Sequence, residues 1–236
     1  MSRTRAVFFD AGHTLLYAYP DLGTVYAETT AGLGVRLPAA AFVEAFQPSF
    51  RDYVREHASD GTASDAQDRA MWREITRRIH SRLEGLRAVP FEDWFRALYA
   101  RFGEADAWRL YDDVEGTLAG LRERGLRLGV VSNWDTRLRG IAAGLGLDRL
   151  VDFVVISAEA GVRKPDPRIF EAALARAGVR ADEAIHVGDL PDEDVEGARR
   201  AGLRSVLIER TKGLVPAGAG PGVEVVRSLS EIAGLL

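Results

Sequence analysis

The 236-residue sequence predicts an α/β fold: a parallel sheet with a block of helices inserted after the first strand. Three observations carry this expectation. The largely apolar run Arg5-Ala6-Val7-Phe8-Phe9-Asp10 reads as a strand buried on both faces. From 21 to 103 only helical patterning follows. From Asp113 onward short apolar runs alternate with helical stretches, the signature of βαβ units in a parallel sheet.

Taken in order, the first strand ends at Asp10, and the spacing then predicts amphipathic helices over 21–33, 38–57, 65–86 and 90–102. Proline stands at the start of two of them, where its missing N–H costs nothing. Trp72, Trp94 and Trp108 lie in or just after this block, which is expected to build its own small core. Strands follow at 126–131, 153–156, 184–187, 205–208 and 223–226, with helices at 137–144, 167–177 and 195–201 between them. The segment 216–222, rich in Gly, Ala and Pro, reads as a spacer. The insertion leaves the core just past Asp10, so it is expected to lie over the mouth of whatever site the sheet carries.

Composition narrows the chemistry. Hydrophobic residues make up 47% and charged residues 28%, ordinary for a globular domain. A formal net charge of −4 argues against a nucleic-acid surface. With no cysteine in the chain, disulfides, thiolate metal sites and thiol nucleophiles are excluded. No apolar run approaches the length of a membrane span, and the N-terminus lacks the pattern of a signal peptide, so a cytoplasmic protein is expected.

Four polar segments close predicted strands or follow them: Asp10-Ala11-Gly12-His13-Thr14, Ser132-Asn133, Lys164-Pro165-Asp166-Pro167, and Gly188-Asp189 through Asp194. Singly they are ordinary turn formers, helix caps or loop charges. Jointly they fall in the crevice beyond the carboxyl ends of the strands, where open parallel sheets bind ligands. Asp10, Asp189 and Asp194 then crowd three carboxylates together. A like-charge pair about 4 Å apart costs on the order of 4 kcal/mol at an effective dielectric of about 20. Such a group either keeps protons or holds a cation. Hard oxygen ligands without His or Cys indicate Mg²⁺. Lys164 and the Ser132 hydroxyl suit phosphate oxygens, and Asp10 is placed for nucleophilic attack through an aspartyl-phosphate.

On these segments the chain resembles the haloacid dehalogenase-like hydrolases. Phe8-Phe9-Asp10-Ala11-Gly12-His13-Thr14-Leu15 is similar to the family's first motif and Val130-Val131-Ser132-Asn133 to its second. Lys164-Pro165-Asp166-Pro167-Arg168-Ile169-Phe170 is similar to the third. The run from Val187-Gly188-Asp189 through Asp194 to Gly202 is similar to the fourth, with GDxxxxD spacing. The resemblance covers nearly the whole chain. It implies a Rossmann-like core over 1–16 and 110–236 with a helical cap over 17–109. It also implies a Mg²⁺-dependent phosphatase acting on a small phosphorylated metabolite, with Asp10, Ser132 and Lys164 catalytic and Thr14 and Asn133 on the substrate. The metal would be held by Asp10, the Gly12 carbonyl, Asp189 and Asp194.

One departure from the pattern is chemical. Family phosphatases carry a second Asp two residues after the nucleophile, as general acid to the leaving group and then as general base. This chain has Gly12 there. General acid–base catalysis contributes roughly 10²–10⁴-fold, so the expected phosphatase is impaired towards poor leaving groups and suited to acyl or aryl phosphates. His13 is the nearest ionisable replacement. Two alternatives stay open: a catalytically inactive binding protein of the same fold, and a 2-haloacid dehalogenase, whose halide leaves without a proton. Retention of Asp189 sits better with a metal site. The cap is arginine-rich (Arg51, Arg55, Arg69, Arg73, Arg77, Arg78 and Arg82), and one or two of these are candidates to clamp an anionic substrate. Oligomeric state is left open.

Overall fold

The computed structural model describes residues 3–57, 61–210 and 222–236. Its main sheet has six parallel strands in the order β5-β4-β1-β6-β7-β8. These are β1 (Ala6–Phe9), β4 (Arg127–Ser132), β5 (Phe153–Ile156), β6 (Ala184–Gly188), β7 (Arg204–Ile208) and β8 (Glu224–Val226). The chain runs from β1 outward through β4 to β5, then crosses to β6 on the opposite side of β1. This reversal opens a crevice at the carboxyl ends of β4, β1 and β6. In register, Phe9 lies beside Val130 on one side and Val187 on the other, and Asp10 continues the ladder by donating its N–H to Val187 O at 2.9 Å. Asp10, Ser132 and Gly188 therefore emerge from neighbouring strands at nearly one level.

Alternation along β1 divides the core into two layers. Val7 and Phe9 pack with Leu128, Val130, Ile185 and Val206 on one face. Ala6 and Phe8 pack on the other face with Ile169 and Phe170 of α9 (Pro167–Ala177). The Asp166 side chain caps α9, accepting the Arg168 N–H at 2.9 Å, and Pro167 opens the helix. Most of the Lys-Pro-Asp-Pro-Arg-Ile-Phe segment is thus explained as a helix start and its apolar anchor.

The inserted block forms α1 (Leu22–Ala31), α2 (Ala39–Glu56), α3 (Asp65–Arg82) and α4 (Phe91–Arg101). Asp21 caps α1 and Ser64 caps α3. Tyr26, Phe42, Ile75, Ile79, Trp94 and Leu98 form a separate apolar cluster among these helices. Inside it, Trp94 Nε1 donates to Thr30 Oγ1 at 2.8 Å, and that hydroxyl donates to Tyr26 O at 2.7 Å, so the polar atoms are paired. Main-chain bonds from Ala63 N to Gly161 O and from Arg163 N to Gly61 O tie the block to the segment just before Lys164. Asp65 adds a second tie, accepting both the N–H and the hydroxyl of Thr136 at 2.8 Å.

The structure corrects the expected element list in several places. Strand character does not vanish after β1: β2 (Leu16–Ala18) and β3 (Trp108–Leu110) form an antiparallel ribbon in which Leu16 faces Leu110, carrying the chain into the helical block and out of it. Each has three residues, too few to display a period of two. The helix α5 (Val114–Glu123) was not anticipated, nor were the one-turn helices α7 (Leu147–Leu150) and α8 (Ser157–Ala160) that follow α6 (Leu138–Leu145). The helix expected over 65–86 stops at Arg82, where Leu83 turns extended, and a 3₁₀ segment, Glu84–Ala88, follows. The helix expected over 195–201 is a π turn, Pro191–Glu196, leading into α10 (Gly197–Arg200). The predicted spacer at 216–222 lies outside the described residues except for Gly222.

Trp94 is fully buried at the centre of the helical cluster. Trp94→Ala is expected to cost about 3–5 kcal/mol of stability, read as a lowered urea midpoint by tryptophan-independent circular dichroism.

Candidate active site

The carboxylate of Asp10 is the centre of a buried polar cluster. Lys164 Nζ donates to Asp10 Oδ1 at 2.6 Å and to Asp194 Oδ1 at 2.6 Å, and Ser132 Oγ donates to Asp10 Oδ1 at 3.0 Å. Asp10 Oδ2 carries no side-chain hydrogen bond among the described residues. One oxygen each from Asp10, Asp189 and Asp194 lie within 4.8 Å of one another. Four segments separated by up to 184 positions thus meet where the strand register places them.

The GDxxxxD spacing has a steric reason. A Cβ on Gly188 would stand 2.1 Å from Asp194 Cγ, so only glycine lets the π turn fold that carboxylate back onto the end of β6. There Asp194 is fully engaged: Oδ1 accepts from Lys164 and from His186 Nε2 at 2.9 Å, and Oδ2 accepts the Leu190 N–H at 2.9 Å. His186 is fully buried on the α9 face of β6, edge-on to Phe170 at 5.0 Å. Burial depresses its pKa, against the pull of Asp194, so the neutral ring keeps its proton on the nitrogen facing the carboxylate. Its Nδ1 is buried without a partner.

The charges in the cluster do not balance. Burial pushes the Asp10 pKa up, Lys164 pulls it back, and Asp194 adds to the rise. Asp189, half-buried, is raised well above the usual carboxylate range by burial and then by the charges of Asp10 and Asp194. Burial would also raise Asp194, but Lys164 and the His186 hydrogen bond hold it well below the ordinary range. Burial alone would discharge Lys164, yet the Asp10 and Asp194 carboxylates overcome it and keep the ammonium protonated. One cation faces three acids, and an oxygen-only donor set with two upshifted carboxylates fits a hard divalent cation.

The remaining sequence-predicted residues fall into place unevenly. Thr14 is fully buried, and its Oγ1 has no hydrogen-bond partner. Arg210, which sequence reasoning did not single out, holds the Thr14 carbonyl at 2.8 Å while paired with Asp113. Asn133, expected against substrate, spends its amide elsewhere: it accepts the Lys164 N–H at 2.8 Å and donates to Lys164 O at 3.0 Å and Glu193 Oε2 at 2.7 Å. Its role is to clamp the backbone that presents Lys164. Glu193, also missed, is raised by burial and drawn back by Lys164. His13 occupies the left-handed region at φ 53° with an exposed ring. Crowding by protein atoms lowers its pKa even so, with Asp10 pulling the other way. The backbone of Gly12 is not left-handed, and a Cβ there would meet only Trp134 Cζ3, at an ordinary 3.5 Å.

Of the cap arginines, Arg55, Arg73, Arg77, Arg78 and Arg82 pair with acids of the cap itself. Arg69 instead lies over the Tyr99 ring, 5.2 Å from its centroid, in the cleft where Tyr99 meets Asp135 and Arg137 of the core. One signal for the missed residues was available in the sequence. His186 interrupts an otherwise apolar strand two residues before Gly188.

Comparison with known proteins follows the same lines. The family model of the haloacid dehalogenase-like hydrolases matches residues 4–202. The human haloacid dehalogenase-like hydrolase domain-containing protein 3 is 35% identical over 213 residues, covering 90% of this chain and 84% of its own. A phosphoserine phosphatase of Thermus thermophilus is 45% identical over 112 residues, 47% of this chain and 45% of its own. Among solved structures, the HAD-hydrolase YfnB of Bacillus subtilis, determined bound to magnesium, superposes with a TM-score of 0.74 at 17% identity, covering 100% of this chain and 99% of its own. That last likeness is one of fold. The first two join it to the sequence motifs, and the chain belongs to the haloacid dehalogenase-like hydrolases.

Proposed function

We propose that the protein is a Mg²⁺-dependent phosphatase that transfers a phosphoryl group to Asp10 and serves substrates whose leaving group departs without a proton from the enzyme. The observation that carries this reading is the Asp10 carboxylate, pinned through Oδ1 by Lys164 and Ser132 with Oδ2 left open, beside Asp189 and Asp194. The named activity of the Thermus relative, a phosphatase, is consistent with it.

In this reading Oδ2 attacks phosphorus in line and the P–O bond to the leaving group breaks; water then hydrolyses the aspartyl-phosphate and regenerates Asp10. Lys164 orients the nucleophile and opposes the rise that burial causes in its pKa, while Ser132 and the unpartnered Thr14 hydroxyl are donors for phosphate oxygens. Asp10, Asp189 and the Gly12 carbonyl would hold Mg²⁺, with Asp194 contributing chiefly by fixing Lys164. Bound there, the ion would neutralise charge on the phosphoryl group and relieve the repulsion among the acids. Gly12 supplies no proton, and His13 is the imidazole closest in sequence that can. The Asp189 carboxylate, kept beside Asp10, favours this reading over a dehalogenase, which has no use for a cation.

Purified protein is expected to hydrolyse acetyl phosphate in the presence of Mg²⁺, and Asp10→Asn to abolish turnover. A folded Asp10→Asn and native protein that are equally inert would turn the reading towards a binding protein. Gly12→Asp, for which the site has room, is expected to raise kcat/KM for alkyl phosphates by about 10²-fold or more, and a His13→Ala variant assayed on the same series tests the imidazole.

Cation binding has a pH signature. Asp10 and Asp189 have raised pKa values, so the folded state retains protons that the unfolded chain has released. Stability of the metal-free protein is therefore lost as pH rises from the ordinary carboxylate value through the raised ones. Mg²⁺ is expected to raise Tm more at pH 8 than at pH 5.5, because protons compete with it at the lower pH. Asp189→Asn should remove most of the Mg²⁺ effect while raising the Tm of the metal-free form. A Mg²⁺ shift independent of both pH and Asp189 would refute this assignment.

A further inference from the structure

We infer that the leaving-group side of the site is walled by the indole of Trp134 and that the substrates are small aryl phosphates. The inference rests on the phosphatase reading and names its substrate class. Two residues beyond the nucleophile, Gly12 presents no side chain. Of the atoms outside its immediate neighbours, the Trp134 ring alone borders the space in which one would stand, at 3.5 Å. Apart from the adjoining His13, a group leaving from a phosphorus held at Asp10 into that space meets the aromatic ring of Trp134.

That face is fixed before any ligand arrives. The Trp134 N–H donates to Ser157 Oγ at 3.0 Å, and its carbonyl accepts from Ser157 Oγ at 3.1 Å and from Ala158 N at 3.2 Å. The ring is backed edge-on by Trp108, with centroids 4.9 Å apart, and Trp108 is tied through its own Nε1 to Phe102 O at 3.1 Å. Trp134 is only partly buried, so part of its surface remains open to a partner. Rigid, half-covered aromatic rings of this kind bind planar groups at little entropic cost.

Leaving-group chemistry admits the same class. Without a proton donor at position 12, the leaving oxygen must depart carrying its electron pair. A phenol, with a pKa of about 10, does this far more readily than an alcohol near that of water at about 16. The balanced reaction is attack of Asp10 Oδ2 on phosphorus, cleavage of the P–O(aryl) bond with release of phenolate, protonation of phenolate by water, and hydrolysis of the aspartyl-phosphate to inorganic phosphate.

The test must separate ring stacking from leaving-group quality, and benzoyl and acetyl phosphate do so, because both release a carboxylate and only one carries a ring. The native protein is expected to favour benzoyl phosphate by about tenfold in kcat/KM, the upper range for an aromatic pair. Trp134→Leu should bring the ratio close to one, and Trp134→Phe should keep part of it. A native ratio near one, or a ratio untouched by Trp134→Leu, overturns the inference. Calorimetric binding of phenylphosphonate against methylphosphonate, with Mg²⁺ present, reads the same wall without turnover. If acetyl phosphate is not hydrolysed at all, the phosphatase reading fails, and the phosphonate pair alone decides the wall: tighter binding of the phenyl compound that is lost in Trp134→Leu supports it, and equal binding overturns it.

Discussion

The ammonium of Lys164 is the constraint around which the rest of the site is arranged. A lysine head group with almost no solvent contact is tolerable only if its charge is met. Here it is met twice, by Asp10 and by Asp194, each at 2.6 Å. Removing either carboxylate would leave the ammonium with one partner in place of two, so the nucleophile and the residue that closes the GDxxxxD run share the same cation. The dependence reaches outward. Asn133 clamps both polar atoms of the Lys164 backbone, His186 and the Leu190 N–H fix Asp194, and Gly188 gives Asp194 the space to lie where it does. Much of the polar content of four distant segments is accounted for by the need to hold one ammonium in place.

That arrangement leaves a deficit of positive charge. Lys164 satisfies Asp194 and one oxygen of Asp10 but leaves Asp189 with repulsion from two neighbours, which adds to burial in raising its pKa, as Asp194 does for Asp10. Among the described residues no second lysine or arginine pairs with the carboxylates of the cluster. A site that stores unpaid repulsion between oxygens is disposed to take a small divalent cation, and the same disposition makes cation and proton rivals for it.

How much of this was legible beforehand depends on the length scale of each signal. The sheet strands were readable because burial on both faces makes them continuous apolar runs, and α1 to α4 because amphipathic spacing persists over ten or more residues. The ribbon of β2 and β3 was not, since three residues carry no period, and neither was the π turn, because an extra residue per turn leaves no mark on composition. Asp10, Ser132, Lys164, Asp189 and Asp194 were legible as polar residues at the ends of apolar runs, and the structure brings them together. Asn133 lies in the expected neighbourhood with its amide bonded to the Lys164 backbone and Glu193, partners that the sequence does not reveal. Trp134 borders Gly12, 122 positions away, and Arg210 holds the Thr14 carbonyl, 196 positions away, contacts that no local pattern could reveal. His186 alone carried a readable anomaly, a polar side chain inside a buried strand.

The aromatic side chains connect the site to the inserted helices in a way that bears on how a substrate is chosen. Trp94 meets Tyr26 at 5.9 Å, Tyr26 meets Phe102 at 5.5 Å, Phe102 meets Trp108 at 5.7 Å, and Trp108 meets Trp134 at 4.9 Å. The series runs from the centre of the cap's own core, along the ribbon that carries the chain between cap and sheet, to the ring beside Gly12. Close-packed rings do not deform continuously, so a shift of the cap on its ribbon must either carry Trp108 with it or break its contact with Trp134. The aromatic surface next to the nucleophile is therefore complete only when the cap sits as it does here, tied at Asp65–Thr136 and along 61–63. The helical block and the ring beside Gly12 are thereby joined by one packed series, so the position of the block bears on the surface that the proposed leaving group would meet.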